Sequence, residues 1–171
     1  MTPNDSVLIR RAAPHDAPAL GRLGGALVRA HHALDSCRFL TPGPRLEEGY
    51  ARFLLTQLTE EDVAIFVAER AGAIIGYVYA GIEPRSWKEL REAAGFIHDV
   101  VVDADARRSG VGTRLIETAA AWLASRGVPR VMLWTAAKNQ EAQRLFERLG
   151  FRRTMVEMTR ECPAATADER R

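Results

Sequence analysis

The sequence predicts a single domain of the α/β class, of the α+β type, in which about four helices flank a mixed central sheet of about six to seven strands. The chain has 171 residues, of which 47% are hydrophobic, so it can bury one substantial core. Two β-rich runs, residues 63–69 and 73–81, are joined by a short turn containing a glycine, which is typical of an antiparallel hairpin. After this hairpin, strand and helix patterns alternate to the end of the domain.

One strand and two helices are predicted before the hairpin. Residues 7–11 form a short run that predicts a strand. A helical pattern that starts near Asp16 then places leucines at helical spacing, although Gly24 and Gly25 weaken its middle. Residues 46–58 carry apolar side chains at the spacing of a second amphipathic helix.

The part of the chain after the hairpin predicts three strands and two helices. The polar segment 83–94 crosses next to an apolar strand at residues 96–102. A helical face follows from near Gly112, and Gly127 ends it. The remaining predicted elements are a buried strand at 131–134, a helix at 139–149 and a closing strand at 152–160.

The hexapeptide Arg-Arg-Ser-Gly-Val-Gly at residues 107–112 lies between a predicted strand and a predicted helix. The first N–H groups of a helix lack intrahelical partners and carry partial positive charge, so phosphate oxygens bind there. Gly110 and Gly112 allow close approach to the backbone, and Arg107 and Arg108 add formal positive charge. The hexapeptide predicts a phosphate site, and an ordinary glycine turn capped by Ser109 is the alternative.

The composition excludes several classes of protein. The 24 Lys and Arg residues against 22 Asp and Glu give a net charge of +2, which argues against a nucleic-acid partner. Cys37 and Cys162 form neither a disulfide framework nor a zinc-ligand spacing, so we expect no metal and a reducing, cytoplasmic location. We expect no membrane association, because the sequence has neither a signal-peptide pattern nor an apolar run of membrane-spanning length. Residues 161–171 are polar and charged, which predicts a flexible tail after a domain at residues 1–160.

An ordered set of motifs resembles the GNAT superfamily of acyl-CoA-dependent N-acetyltransferases. The set consists of Ile-His-Asp-Val-Val-Val at 97–102, the hexapeptide at 107–112, Asn-Gln-Glu-Ala at 139–142 and Leu-Phe-Glu-Arg-Leu-Gly-Phe at 145–151. The resemblance covers residues 60–160 well, and residues 7–58 only by the order of their helices. It implies a sheet splayed between the strands at 96–102 and 131–134.

The resemblance also implies that acetyl-CoA is a co-substrate held by the backbone. The pyrophosphate would bind the amides of residues 108–113, and the pantetheine arm would pair with strand residues 100–102 like an extra strand. Asn139 matches a family asparagine that hydrogen-bonds the same arm, and as a favoured cap residue it also predicts the N-cap of the last helix. The predicted cofactor-binding residues are Val100, Val101, Val102, Arg107, Arg108, Ser109, Gly110, Val111, Gly112, Thr113, Asn139 and Phe146.

His98 is the candidate general base. Its unperturbed pKa near 6.5 suits proton removal at neutral pH, and it precedes Val102 by four residues. At this offset, serotonin N-acetyltransferases carry a histidine and spermidine and spermine acetyltransferases a glutamate, each proposed as a base. A structural, hydrogen-bonded histidine is the alternative. Strand alternation predicts that His98 and Asp99 point to opposite faces and do not share one cleft.

One residue departs from the family pattern. The family often places a tyrosine where this chain has Phe146, and its hydroxyl is thought to protonate the departing thiolate. A thiolate with a reference pKa of about 8.5 is a tolerable leaving group, so loss of that acid need not abolish transfer. Water or one of Tyr50, Tyr77 and Tyr79 is a candidate substitute, although core or hairpin roles also explain those tyrosines.

The resemblance also indicates where the acceptor would bind. By analogy with the family it is bounded by the first two helices, their loop at 38–44 and the segment 83–94, with Asp99, Glu83 and Trp87 as candidate cleft residues. Asp99 is expected to pair with a nearby backbone or basic group, and a contact with a cationic acceptor is the alternative. His31, His32 and Asp35, near the end of the first helix, are interpreted as a solvated face.

These observations predict transfer of an acetyl group from acetyl-CoA to a primary amine through a ternary complex. The acceptor is a small-molecule amine or a peptide, and a homodimer is plausible from the family. A non-catalytic acyl-CoA-binding or regulatory module is the alternative, which the Phe146 departure favours. A nucleotide-binding protein is a weaker alternative, because the lysine and hydroxyl pair of a P-loop is missing from the hexapeptide.

Overall fold

The computed structural model describes residues 6–162, so the polar N-terminus and most of the predicted tail lie outside the described residues. The elements, in chain order, are β1 (Leu8–Arg11), α1 (Ala17–Leu34), α2 (Leu46–Gln57), β2 (Val63–Arg70), β3 (Ala73–Glu83), β4 (Ala94–Val102), α3 (Val111–Ser125), β5 (Val131–Leu133) and α4 (Gln140–Arg148). Short 3-10 turns at Pro14–Asp16 and Ala104–Ala106 precede α1 and α3. Among the described helices, none combines the length and the apolar character that crossing a membrane requires.

The strands form one mixed sheet in the order β1-β2-β3-β4-β5. The pairs from β1 to β4 are antiparallel, and β4 pairs with β5 in parallel. The predicted hairpin is confirmed: Ala71 and Gly72 turn the chain between β2 and β3 with φ angles of 51° and 78°. Two successive residues with positive φ are the geometry of a tight turn that matches the twist of the strands.

Helices cover both faces of the sheet. One apolar cluster lies between the sheet and α3 and includes Leu115, Leu123 and Phe146. The other lies between the opposite face and the α1 and α2 pair and includes Leu20 and Leu54. The buried stripes of α1 and α3 account for both clusters, because each amphipathic helix buries its apolar face against the pleated sheet.

The glycines in the middle of α1 allow this helix to pack closely against α2. A Cβ atom at Gly24 would lie 2.0 Å from Cδ1 of Tyr50 on α2, and one at Gly21 would lie 2.5 Å from the carbonyl oxygen of Glu47. The two helices therefore approach more closely than side chains would allow. This contact sets the position of the Tyr50 ring, whose hydroxyl reaches β4.

The number of strands predicted from the sequence is wrong for the described residues. The sheet has five strands, and the segment 152–160, expected to close it, has no regular structure. Its apolar side chains are exposed, with Met155 at 78% and Met158 at 89%. Alternating residues favour a strand only where a neighbouring strand completes the hydrogen-bond ladder, and β5 receives no partner from this segment.

The strand β4 carries a bulge at His98. Tyr79 of β3 lies opposite Asp99, but the next residue, Ala80, lies opposite Ile97, so His98 is the extra residue. The bulge breaks the alternation of β4. On its other edge, β4 pairs with β5 only at residues 95–97, and from His98 onward that edge has no strand partner among the described residues.

Candidate active site

A cavity of about 270 Å³ lies where β5 leaves β4. Its walls come from both faces of the sheet, because the missing strand pairing leaves a gap. Ile97 and Val100 belong to the α3 side, whereas Tyr50 comes from α2 on the opposite side. The predicted site residues among its lining are His98, Asp99, Val100, Asn139 and Phe146.

The His98 imidazole lines this cavity between two aromatic rings. Its centroid lies 4.7 Å from that of Tyr79 and 5.9 Å from that of Phe96, with 28% of its side chain exposed. A Cβ at Gly81 would lie 3.3 Å from Nε2, so the glycine leaves room for the ring. Partial burial lowers the pKa of His98, and nearby Glu83 and Asp99 oppose that effect. The ring is therefore neutral at pH 7 and able to accept a proton.

Asp99 lines the same cavity, contrary to the expectation that it faces away from His98. Its Oδ2 accepts hydrogen bonds from Tyr50 Oη at 2.6 Å and Tyr77 Oη at 3.0 Å. The bulge is the reason, since one extra residue turns both neighbours toward α1 and α2. Burial raises the pKa of Asp99, and the two tyrosine hydrogen bonds oppose the rise.

The tyrosine hydroxyls near the cavity are already engaged. Tyr50 and Tyr77 donate to Asp99, and Tyr79 Oη donates to Gln57 Oε1 at 2.9 Å. Burial, together with nearby carboxylates, raises the pKa of Tyr79 to about 12. Phe146 is buried, lines the cavity and has no proton to donate. Among the described residues at this cavity, no tyrosine hydroxyl is therefore free to protonate a leaving group.

The N-terminus of α3 has the geometry of an anion site. Arg108 and Gly110 have φ angles of 61° and 83°, which bends the chain before the first turn of the helix. Arg114 N–H is the first to bond within the helix, to the Gly110 carbonyl at 3.1 Å, so the N–H groups at 111–113 remain for a ligand. Ser109 does not cap the helix, because its hydroxyl donates to the Ala106 carbonyl at 2.6 Å.

The open edge of β4 leads from this helix end to the cavity. Residues 98–102 face the gap without a strand partner among the described residues, so their outward peptide groups can pair with an extended ligand. The Val102 carbonyl is a partial exception, because Arg107 Nε donates to it at 3.2 Å. Asn139 caps α4, its Oδ1 accepting from Ala142 N–H at 3.2 Å, and its amide group remains a donor beside the cavity.

Comparison with known proteins assigns the family. Residues 28–151 match the sequence profile of the acetyltransferase (GNAT) family. The chain belongs to the GNAT family. The match includes α2, the whole of β2 to β5 and α4, and with them the cavity, the bulge and the helix end described above.

Individual relatives agree with this assignment. The chain is similar to a mycothiol acetyltransferase of Cellulomonas flavigena, with 30% identity over 89% of this chain and 42% of the relative. It is also similar to an uncharacterised N-acetyltransferase of Methanocaldococcus jannaschii, with 37% identity over 60% of this chain and 45% of the relative. This chain thus covers less than half the length of these curated relatives.

Two solved structures share the fold of this GNAT chain. One is the aminoglycoside N-acetyltransferase AAC(6')-Iy in complex with CoA, with a TM-score of 0.73, 18% identity and coverage of 95% of this chain and 99% of that one. The other is glucosamine-6-phosphate N-acetyltransferase of Arabidopsis thaliana, with a TM-score of 0.68, 23% identity and coverage of 92% and 99%. The predicted GNAT fold of mixed sheet and flanking helices is confirmed, with five strands in place of six to seven.

Two candidate acceptor residues of this GNAT domain lie outside the cavity. Glu83 lines a second cavity of about 370 Å³ on the other side of His98, where its Oε1 lies 3.4 Å from His98 Nε2. Trp87 lies in the loop between β3 and β4, 77% exposed, with the Arg85 guanidinium 4.5 Å from its ring centre. The loop is closed by a bridge between Ser86 and Arg91, and Trp87 lines neither cavity.

Sequence reasoning misses several residues that line the first cavity. The sequence pattern assigns His31 to a solvated face, yet it lines the cavity, and its ring packs edge-on against Phe39 at 4.9 Å. Its position four residues after Leu27 continues the apolar stripe of α1, a signal that the sequence contains. Trp134 also lines the cavity, although the end of β5 leaves it 73% exposed.

The described part of the chain offers neither a metal-ligand cluster nor a cysteine at the cavity. Residues 6–162 contain no group of three or more His, Cys, Asp or Glu side chains placed to hold a metal ion. Cys37 and Cys162 are exposed, and neither lines the cavity.

Proposed function

We propose that this chain transfers an acetyl group from acetyl-CoA directly to a primary amine, in a ternary complex and with His98 as the general base. The observation that carries the proposal is the position of the His98 imidazole, which lines the cavity where β5 leaves β4. Membership in the GNAT family supports acetyl-CoA as the acetyl donor.

The donor side of the site fits acetyl-CoA, which would supply an acyl carbon activated as a thioester. The backbone N–H groups at 111–113, with Arg107 and Arg108, would bind its phosphates. The open edge at Val100 and Val101 would hydrogen-bond its pantetheine arm as a sheet binds an added strand. The Asn139 amide would donate to the same arm.

His98 solves the protonation problem of the acceptor. An ammonium with a pKa near 10.4 costs about 4 to 5 kcal/mol to deprotonate at pH 7, and only the free amine can attack a carbonyl carbon. Neutral His98 takes that proton. Transfer forms the N–C bond and breaks the C–S bond, and the CoA thiolate leaves to be protonated by solvent, since Phe146 has no proton to give.

The side chains that line the cavity support direct transfer over an acyl-enzyme route. An acyl-enzyme route needs a nucleophile beside the thioester, and the cavity is lined by no cysteine, serine or lysine among the described residues. Thr135 lines the cavity, but a hydroxyl needs an adjacent base, and the imidazole is assigned to the acceptor.

Acceptor-dependent release of CoA tests the proposal. Wild type, His98→Gln and the matched control His15→Gln, which alters an exposed histidine, are compared with acetyl-CoA and a panel of amines. If His98 is the base, kcat/KM should fall as the pH drops below 6.5, because the imidazole becomes protonated. Between that range and the pKa of the amine, kcat/KM should not change with pH. His98→Gln should instead follow the free amine, rising roughly tenfold per pH unit between pH 6 and 9. A level profile in His98→Gln would remove His98 as the base.

A non-catalytic acyl-CoA-binding module is the second candidate, favoured by the phenylalanine at position 146. Such a module would bind acetyl-CoA and raise the Tm without releasing CoA for any amine. Binding at about 100 times the Kd stabilises by roughly 2.7 kcal/mol, which a thermal scan detects. Acetyl-CoA binding combined with no amine-dependent CoA release across the panel would favour the module over the enzyme.

A further inference from the structure

The side-chain hydrogen-bond partners of the Asp99 carboxylate within the described residues are neutral tyrosines. Its Oδ2 accepts from two tyrosine hydroxyls, and within residues 6–162 no Arg or Lys side chain forms an ion pair with it. Partial burial of an unpaired carboxylate is unfavourable, and two neutral hydrogen bonds offset only part of the cost. A positively charged ligand group in the cavity would supply the missing partner.

Apart from the imidazoles of His31 and His98 and the hydroxyl of Tyr50, the cavity around Asp99 is apolar on the acceptor side. Leu27 and Val28 of α1 form one wall, and Phe39 and Leu40 of the following loop form another. No Arg or Lys is among the described residues that line it, so an acceptor carrying a carboxylate or phosphate would find no strong cationic partner among them. The walls therefore suit a hydrocarbon body, and the floor suits one positive charge.

The size of the cavity favours a small acceptor. A ligand pocket usually holds roughly 300 to 1,000 Å³, and this one, at about 270 Å³, must also admit the acetyl end of the donor. A large polar acceptor such as an aminoglycoside would not be enclosed. A compact amine with a single ring or short chain fits the remaining space.

We infer that the acceptor is a small monocationic primary amine with an apolar body, whose ammonium group binds Asp99 while the body packs against Leu27, Phe39 and Leu40. This inference rests on the proposed acetyl transfer and names its substrate class. The ammonium then lies beside His98, which lines the same cavity and takes its proton. Asp99 thereby selects a cation, and the apolar walls favour an apolar acceptor body over a polar one.

The second cavity offers a competing acceptor class. It is lined by Glu60, Glu61, Asp62 and Glu83, which would attract a polyamine. Asp62 already pairs with Arg126 at 2.7 Å, and of the open-edge residues 98–102 this cavity is lined by His98 and not by Val100 or Val101, where the pantetheine arm would lie. These two facts favour the apolar cavity for the reacting amine.

The inference is tested by equilibrium binding, which needs no turnover. Titration calorimetry in the presence of CoA, which has no acetyl group to give, compares 2-phenylethylamine with the neutral isostere 2-phenylethanol and with spermidine. The proteins are wild type, Asp99→Asn and the matched control Glu60→Gln, which neutralises a carboxylate of the other cavity. We expect the amine to bind wild type at least about tenfold more tightly than the alcohol. Asp99→Asn should weaken the amine at least about 30-fold and leave the alcohol unchanged, whereas Glu60→Gln should change neither.

Three results would overturn the inference. These are equal affinity of wild type for amine and alcohol, equal loss of both ligands in Asp99→Asn, or tighter binding of spermidine that depends on Glu60. Because the amine and alcohol comparison uses wild type alone, it decides the matter even if Asp99→Asn fails to fold. The binding test and the test of the proposed function can fail separately. Acetyl transfer to spermidine without binding of 2-phenylethylamine would refute only the substrate class. Binding of 2-phenylethylamine without transfer to any amine would refute only the reaction.

Discussion

The contact between Gly24 of α1 and Tyr50 of α2 predicts that Gly→Ala substitutions at two helical glycines change the stability in opposite directions. Alanine favours a helix over glycine by up to about 1 kcal/mol, so Gly→Ala in a helix is stabilising where space allows. A Cβ added at Gly49 of α2 would have nothing within 4 Å, whereas a Cβ at Gly24 would lie 2.0 Å from Cδ1 and 2.4 Å from Cε1 of Tyr50. Gly24→Ala and Gly49→Ala therefore form a matched pair.

The magnitude follows from the overlap. Carbon atoms in contact lie about 3.5 to 4.0 Å apart, so the Tyr50 ring or the helix must move by about 1.5 Å to admit a methyl group at 24. Overpacking of this kind costs about 1 to 3 kcal/mol, which exceeds the helix-propensity gain. We expect Gly49→Ala to gain about 0.5 to 1 kcal/mol and Gly24→Ala to lose stability. The movement should also separate Tyr50 Oη from Asp99, now 2.6 Å apart.

Chemical and thermal unfolding measure the difference. For a domain of this size, 1 kcal/mol corresponds to roughly 2 to 4 °C in Tm, so the two variants should shift in opposite directions by readable amounts. The affinity for 2-phenylethylamine then reports on the contact of the ligand with Asp99. This affinity should fall in Gly24→Ala and stay unchanged in Gly49→Ala. A rise in Tm for Gly24→Ala equal to that for Gly49→Ala would refute the close packing of α1 and α2 described above.

Three further predictions address the donor site and the fold. Phe146→Tyr places a hydroxyl at the cavity, where it can protonate the departing thiolate. If this protonation limits turnover, kcat should rise several-fold. An unchanged kcat would show that this step is not limiting. Gly110→Val puts a β-branched side chain at a φ of 83°, which costs about 1 to 2 kcal/mol and should weaken acetyl-CoA in a binding titration, with wild-type affinity as the contrary result. Asp16→Asn removes a buried carboxylate that Arg10 binds at 2.8 Å, and should lower the unfolding free energy by about 1 to 3 kcal/mol. Because Arg10 lowers the pKa of Asp16, the wild type should lose this contribution as the pH falls below about 4, and equal acid sensitivity of the variant would contradict the assignment.

Local patterns predict most of the fold. Each of the four helices contains a stripe of apolar residues at helical spacing, and the hairpin contains a glycine at its turn, so all these elements are found close to the predicted residues. The turn at residues 107–112 is also predictable from the hexapeptide itself, because the glycine and the positive φ angles both lie within that segment. Features of this kind depend on residues that are neighbours in the sequence.

Features that depend on distant residues are not predictable in the same way. The bulge at His98 arises from the register between β3 and β4, so strand alternation places Asp99 on the wrong face. The segment around Met155 has the pattern of a strand but has no strand partner within residues 6–162, where the sheet ends at β5. Gly24 reads as a weak point in a helix until the ring of Tyr50 is known to occupy the space beside it.

The gap between β4 and β5 has a kinetic consequence. Val100 faces the α3 side of the sheet and Asp99 the α1 and α2 side, and both reach the same cavity through the gap. Donor and acceptor would thus enter along separate routes, so neither product has to depart before the other. Steady-state product inhibition should show a random order of release, and a compound that joins an apolar amine to CoA through the gap would occupy both routes at once.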